Sequence, residues 1–168
     1  IGSNGPKDWT PWSWTEINEF VQDSCNGGVR LAADMGSNRL SVNQTGRGAE
    51  RPVNLASFNR GFLRVDYRRQ FTGTGEYVDI RVSPDGGATW IVVDTITGTG
   101  SDPDYTTACY DITPYVSLNS VIGFTSYNFD NGSNTLYLDN FHISQEPCPI
   151  PPEVATFAPI QDTWLDQT

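Results

Sequence analysis

Residues 77–96 read Tyr77-Val78-Asp79-Ile80-Arg81-Val82-Ser83-Pro84-Asp85-Gly86-Gly87-Ala88-Thr89-Trp90-Ile91-Val92-Val93-Asp94-Thr95-Ile96. Val78, Ile80 and Val82 alternate with Asp79 and Arg81, the period of a half-buried strand. A second apolar run starts at Thr89. Pro84, Asp85, Gly86 and Gly87 stand between, the residues a tight reversal needs. The segment reads as a β-hairpin. Asp85, Gly87, Thr89 and Trp90 form its clip: Asp85 bonds nearby backbone N–H groups, Thr89 bonds across the turn, and Trp90 packs beneath it.

The same texture runs outward in both directions. "FLRVDY" sets Leu63, Val65 and Tyr67 against Arg64 and Asp66, and "SVIGFTSY" continues the pattern. Strands are expected near 14–20, 28–33, 38–44, 49–55, 61–71, 76–83, 89–96, 104–112, 119–128 and 135–144. Turn clusters such as "DMGSN", "TGRGAE" and "TGTGSDPD" separate them, and "DITPYVSLNS" holds one helical turn. Nothing has sustained helical periodicity. Many short alternating strands at this spacing predict an all-β, antiparallel β-sandwich of jelly-roll type. It should occupy residues 14–147, after an N-terminal segment (1–13). A Pro-rich linker (148–153) and a strand-like tail (154–168) should follow. The tail is either a donor strand or the start of a further domain.

The string "SPDGGATW" also fits the Asp-box pattern of sialidases. Those enzymes are propellers of four or more blades, each about 40–50 residues and often carrying its own box. This chain has 168 residues and one box. No arginine cluster can be assigned to a substrate carboxylate. His142, the single histidine, lies mid-strand with no nucleophile elbow nearby. No P-loop or dinucleotide fingerprint is present. The chain is read as non-enzymatic.

Ten basic residues against 20 acidic ones give a net charge of −10, which repels nucleic acid and anionic lipid. No apolar run reaches the length of a membrane span. Low lysine content with abundant Gly, Pro, Ser and Thr suits an extracellular or cell-surface protein. Cys25, Cys109 and Cys148 allow one disulfide. Cys25–Cys109 is the first choice, with Cys25–Cys148 close behind, and three small buried hydrophobes the alternative. Asn43 and Asn131 open glycosylation sequons near strand ends or loops, which matter only where the source glycosylates asparagine, chance occurrence being the default for each.

Trp9, Trp12 and Trp14 stand close together in "DWTPWSW". With Tyr67 and Tyr77, and with Tyr105 and Tyr127, they are candidates for stacking on sugar rings. The alternative is that the tryptophans plug one end of the sandwich or clamp the tail.

The strings "WSWTEINE", "GRGAERPVNLASF", "GFLRVDYRR", "EYVDIRVSPDGGATW", "YTTACYDITPYV", "VIGFTSYN" and "LYLDNFHIS" follow in order through residues 14–144. Together they resemble a bacterial cell-surface jelly-roll module, similar to MAM-type and carbohydrate-binding jelly rolls. The resemblance implies surface display, adhesion or glycan binding. It also implies a structural calcium where the last strand meets the first. Asp139 shares strand parity with Tyr137, Phe141 and Ile143, and Glu16, Asn18, Glu19 and Asp23 are the partner candidates. A salt bridge to an arginine, or a bulge that turns Asp139 outward, is the competing reading. Two functions remain in play. One is a structural or adhesive subunit whose tail or N-terminal segment pairs with the edge of another copy or of a neighbouring surface domain. The other is a carbohydrate-binding module of a larger protein.

Overall fold

The computed structural model describes residues 14–18, 28–70, 74–98, 100–129 and 134–149. Ten strands lie among them: β1 Thr15–Ile17, β2 Val29–Asp34, β3 Ser37–Val42, β4 Gly48–Val53, β5 Phe62–Gln70, β6 Tyr77–Ser83, β7 Ile91–Thr97, β8 Thr106–Asp111, β9 Ser120–Tyr127 and β10 Thr135–Ser144. A single 3-10 turn, Thr113–Tyr115, stands where a helical turn was expected. The strands form two five-stranded antiparallel sheets. The first has the order β1-β4-β9-β6-β7 and the second β2-β3-β10-β5-β8. The fold is an antiparallel jelly-roll β-sandwich.

Alternation decides which side of each strand is buried. In the first sheet Val78, Ile80 and Val82 of β6 pair with Ser126, Phe124 and Ile122 of β9, and all six are buried. In the second sheet Leu63 and Val65 of β5, Leu136 and Leu138 of β10, and Val42 of β3 face them in one core cluster. Trp14 packs on Phe124 at 5.9 Å and on Phe141 at 4.9 Å, closing the core near β1. β1 is only three residues long, because Asn18 turns into the left-handed region (φ 60°) and donates its side-chain N–H to the Gly46 carbonyl at 2.8 Å.

The Ser83–Trp90 reversal is held by side chains. Ser83 Oγ donates to Asp85 Oδ1 and accepts from the Gly87 N–H, both at 2.8 Å. The Asp85 carboxylate takes the Thr89 N–H at 2.8 Å and the Thr89 hydroxyl at 2.7 Å. These bonds hold its carboxyl below the usual carboxylate range. Gly86 and Gly87 have φ of 77° and 94°, which side chains rarely tolerate. Trp90 then lies on the outer face of the first sheet, where Gly123 leaves room for its ring and the Arg81 guanidinium covers it at 4.3 Å.

The disulfide joins Cys109 to Cys148, which replaces the expected Cys25–Cys109 bond; Cys25 lies outside the described residues. After β10 the chain crosses β5, where Arg64 donates to the Pro147 carbonyl at 3.1 Å. It then reaches Cys109 on β8, the edge strand of that sheet. Residues 1–13 and the tail 154–168 lie outside the described residues.

Candidate functional site

The outer face of the second sheet carries the Arg68–Asp34 and Arg39–Asp139 ion pairs. By strand parity it carries Arg30 and Asp34 from β2, Arg39 and Ser41 from β3, Tyr137 and Asp139 from β10, and Arg64, Asp66 and Arg68 from β5. β2 and β5 are separated by β3 and β10, a distance of roughly 14 Å at the usual strand spacing. Yet Arg68 Nε lies 2.9 Å from Asp34 Oδ2. The β2–β3 hairpin end must therefore lean over the sheet. A second contact spans the same width: the Arg39 guanidinium sits 5.3 Å from the ring centre of Tyr105, just before β8. The face is cupped at this end.

The pairings within the cup are specific. Arg68 holds Asp34 through Nε and Nη2, with side-chain exposures of 13% and 8%. The Tyr105 hydroxyl donates to the same carboxylate at 2.8 Å. Burial pushes the Asp34 carboxyl up, but the bonds from Arg68 and Tyr105 outweigh it, and the net shift is downward. Burial and the Asp34 charge raise the Tyr105 phenol. Arg39 pairs with Asp139. The Arg68 guanidinium also lies 4.9 Å over the Tyr137 ring. Beside them Asp66 accepts from Thr107 at 2.5 Å and from Asn140 at 2.7 Å. On the loop before β8, Asp102 clasps the Arg69 guanidinium and accepts its backbone N–H at 2.8 Å. Those bonds depress the Asp102 carboxyl. The 145–149 connector, with its disulfide, bounds the far end of the face.

The residues singled out in the sequence fall in several places. Trp14 and Tyr67 pack against the core, so neither is an open stacking surface. Tyr77 stacks on Tyr127 at 4.7 Å on the outer face of the first sheet, away from Tyr105. Trp9, Trp12, Glu19, Asp23 and Asn131 lie outside the described residues. Asn43 is buried, which leaves its sequon closed to modification in the folded chain. His142 is exposed opposite Arg64, a cation where a triad needs a carboxylate.

The calcium set around Asp139 does not assemble among the described residues. A bulge between Asp139 and His142 breaks the parity of β10, with Asn140 at φ 50°. Asp139 therefore points outward to Arg39, while Ile143 is buried. Glu16 is buried on β1 of the other sheet, and Asn18 is engaged at Gly46. No group of three or more His, Cys, Asp or Glu that could hold a metal occurs among the described residues.

Sequence reading did not find Asp34, Arg39, Arg68 or Tyr137. Arg39, Arg68 and Tyr137 carried the signal of outward parity on expected strands, whereas Asp34 ends β2 one residue beyond the strand expected at 28–33, in the turn cluster "DMGSN". What assembles them is the lean of the hairpin, which parity does not encode.

No family model matches the chain, and no curated protein matches it in sequence. Solved structures do match in fold. One is TmCBM61 in complex with β-1,4-galactotriose, at 13% identity over 83% of this chain and 91% of that one, with a TM-score of 0.53. Another is the K3 cleaved adhesin domain of Lys-gingipain from Porphyromonas gingivalis W83, at 11% identity over 81% and 91%, TM-score 0.55. A third is carbohydrate-binding module CBM36 in complex with calcium and xylotriose, at 17% identity over 79% and 99%, TM-score 0.50. Among the described residues no helix is long and apolar enough to cross a membrane. At these identities the likeness is one of fold: the chain shares the jelly-roll β-sandwich of carbohydrate-binding modules and adhesin domains.

Proposed function

We propose that the chain is a non-enzymatic carbohydrate-binding module of an extracellular or surface protein, and that it takes its glycan on the cupped outer face of the second sheet. The observation that carries this reading is the joint placement of the Tyr105 and Tyr137 rings with the Arg68–Asp34 and Arg39–Asp139 pairs. Pyranose rings present apolar C–H faces that suit tyrosine rings, and hydroxyls that suit fixed carboxylates and guanidiniums. Arg30, Arg39, Arg64 and Arg68 balance Asp34, Asp66, Asp139 and Asp111, the last of which shares this face by its pairing with Phe62 on β5, in a chain of net charge −10. A near-neutral patch on an acidic protein suits a neutral polyol. Two proteins of this fold carry galactotriose and xylotriose in their solved complexes, which supports the same ligand class.

The surroundings of the carboxylates support binding over hydrolysis. Glycoside cleavage needs one carboxyl kept protonated as an acid. Asp34 is held ionised by Arg68 and Tyr105 instead. The test is electrophoresis of the intact chain through gels containing soluble galactan or xylan. Retardation is expected, and Tyr137→Ala should weaken it at least about tenfold, the value of one stacking contact of roughly 1.4 kcal/mol. Tyr77→Ala should leave it unchanged. Equal mobility with and without every polysaccharide tried would refute the reading.

A second reading, an adhesive subunit joined by strand exchange, draws on the adhesin-domain likeness. It also draws on the disulfide, which ties the connector before residues 154–168 to edge strand β8. Removing residues 149–168 should then convert an assembled species into monomers in sedimentation. Monomers before and after would end it.

A further inference from the structure

We infer a calcium site at the end of the sandwich where β3 stops and β6 and β10 begin, built on Glu76 with Asn134 and Asn43. Glu76 precedes β6, is only 6% exposed, and faces inward with Val78 and Ile80. Its Oε1 accepts from the Asn134 side-chain N–H. Its Oε2 is buried and has no hydrogen-bond partner among the described residues. No arginine or lysine among them pairs with it.

Asn134, 0% exposed, comes just before β10, and Asn43, 6% exposed, just after β3. Val42 pairs with Leu136, so residues 43 and 134 flank the same end of adjacent strands. Asn43 Oδ1 is also buried with no hydrogen-bond partner among the described residues. Two orphaned oxygens on side chains more than nine-tenths buried thus stand at one end of the fold.

A carboxylate held out of water with one oxygen bare is costly unless a cation compensates it. The donor set is oxygen only, with one carboxylate and two amides. Just past the end of β9, the Phe129 carbonyl accepts from the Thr45 hydroxyl at 2.8 Å. Oxygen donors without nitrogen or sulfur favour calcium over zinc, which prefers imidazole and thiolate, and calcium accepts irregular geometry where magnesium does not. A single carboxylate places the affinity with extracellular calcium modules, in the range of roughly 10⁻⁴ to 10⁻³ M. This set shares no residue with the one expected around Asp139.

The experiment is calorimetric titration of the chelator-treated, intact chain with calcium chloride, with melting curves at each end. One equivalent should bind, and the melting temperature should rise by roughly 3–5 °C at tenfold excess over the dissociation constant. Magnesium should produce no rise. Glu76→Gln should abolish the response, and Asp139→Asn should keep it. Should Glu76→Gln fail to fold, Asn43→Asp supplies an independent reading: an added carboxylate at the site should tighten calcium binding about tenfold. An unchanged wild-type melting temperature, a response that survives Glu76→Gln, or an Asn43→Asp chain that binds no more tightly would each overturn the site. None of these outcomes depends on glycan binding.

Discussion

Gly48 has no room for a methyl group: a Cβ there would stand 2.0 Å from the Phe124 carbonyl oxygen on β9. The constraint is the close approach of two paired backbones, not an unusual φ. Gly48→Ala should cost about 3 kcal/mol through overpacking, read as a lower urea midpoint. The sequence displays Gly48 only as part of a turn cluster, because the strand it meets lies some seventy-five residues away. Ser83 is different, since its partners are local and therefore legible. Its buried hydroxyl takes the Gly87 N–H and donates to Asp85. Ser83→Ala should lose about 1–2 kcal/mol, the range for a buried donor left unpaired. It should also speed amide exchange at Gly87.

At the scale of strands, periodicity carried most of the information. β5 and β6 bury the residues their alternation marks, whereas β9 is buried on both faces from Ser120 to Ser126, with the Trp90 ring against Gly123 on its outer side. β10 departs from this. Its bulge at Asn140 inserts a change of parity, and so Asp139 faces Arg39 and not the core. The disulfide was illegible for a related reason. Pairing Cys109 with Cys148 depends on the connector crossing β5 after β10 ends, a path set by the Arg64–Pro147 contact and by Asn59, whose N–H donates to Gln145 Oε1 at 3.0 Å. The bond spans a sequence separation of 39, worth roughly 2–4 kcal/mol of stability. Cys148→Ser, or reduction of the wild type, should lower stability by that amount. If reduction leaves the unfolding midpoint unmoved, the connector is held by its hydrogen bonds alone.

At the scale of the whole molecule, acid is the natural stress. The Asp34 and Asp102 carboxyls titrate below their usual value of 3.8 in the folded chain. The unfolded chain therefore binds protons first as pH falls, and the stability these groups contribute above about pH 4 is lost below it. Urea midpoints should be flat from about pH 7 to pH 5 and drop steeply under about pH 4. Asp102→Asn should lower the plateau and soften the drop; an equally steep drop in the variant would remove Asp102 from the account. The sandwich itself was readable in the sequence, since many short alternating strands leave few other architectures. The cup was not, because Asp34 and Arg68 meet only when a hairpin leans across three strand spacings. The central claim is that this cup binds glycan. Its most direct test is an NMR titration of the intact chain with β-1,4-galactotriose and with xylotriose, following backbone amides. Shifts should concentrate at Asp34, Arg39, Arg68, Tyr105 and Tyr137 and vanish in Tyr137→Ala. Shifts confined to Tyr77, Trp90 and Tyr127 on the opposite sheet, or none with either sugar, would contradict it.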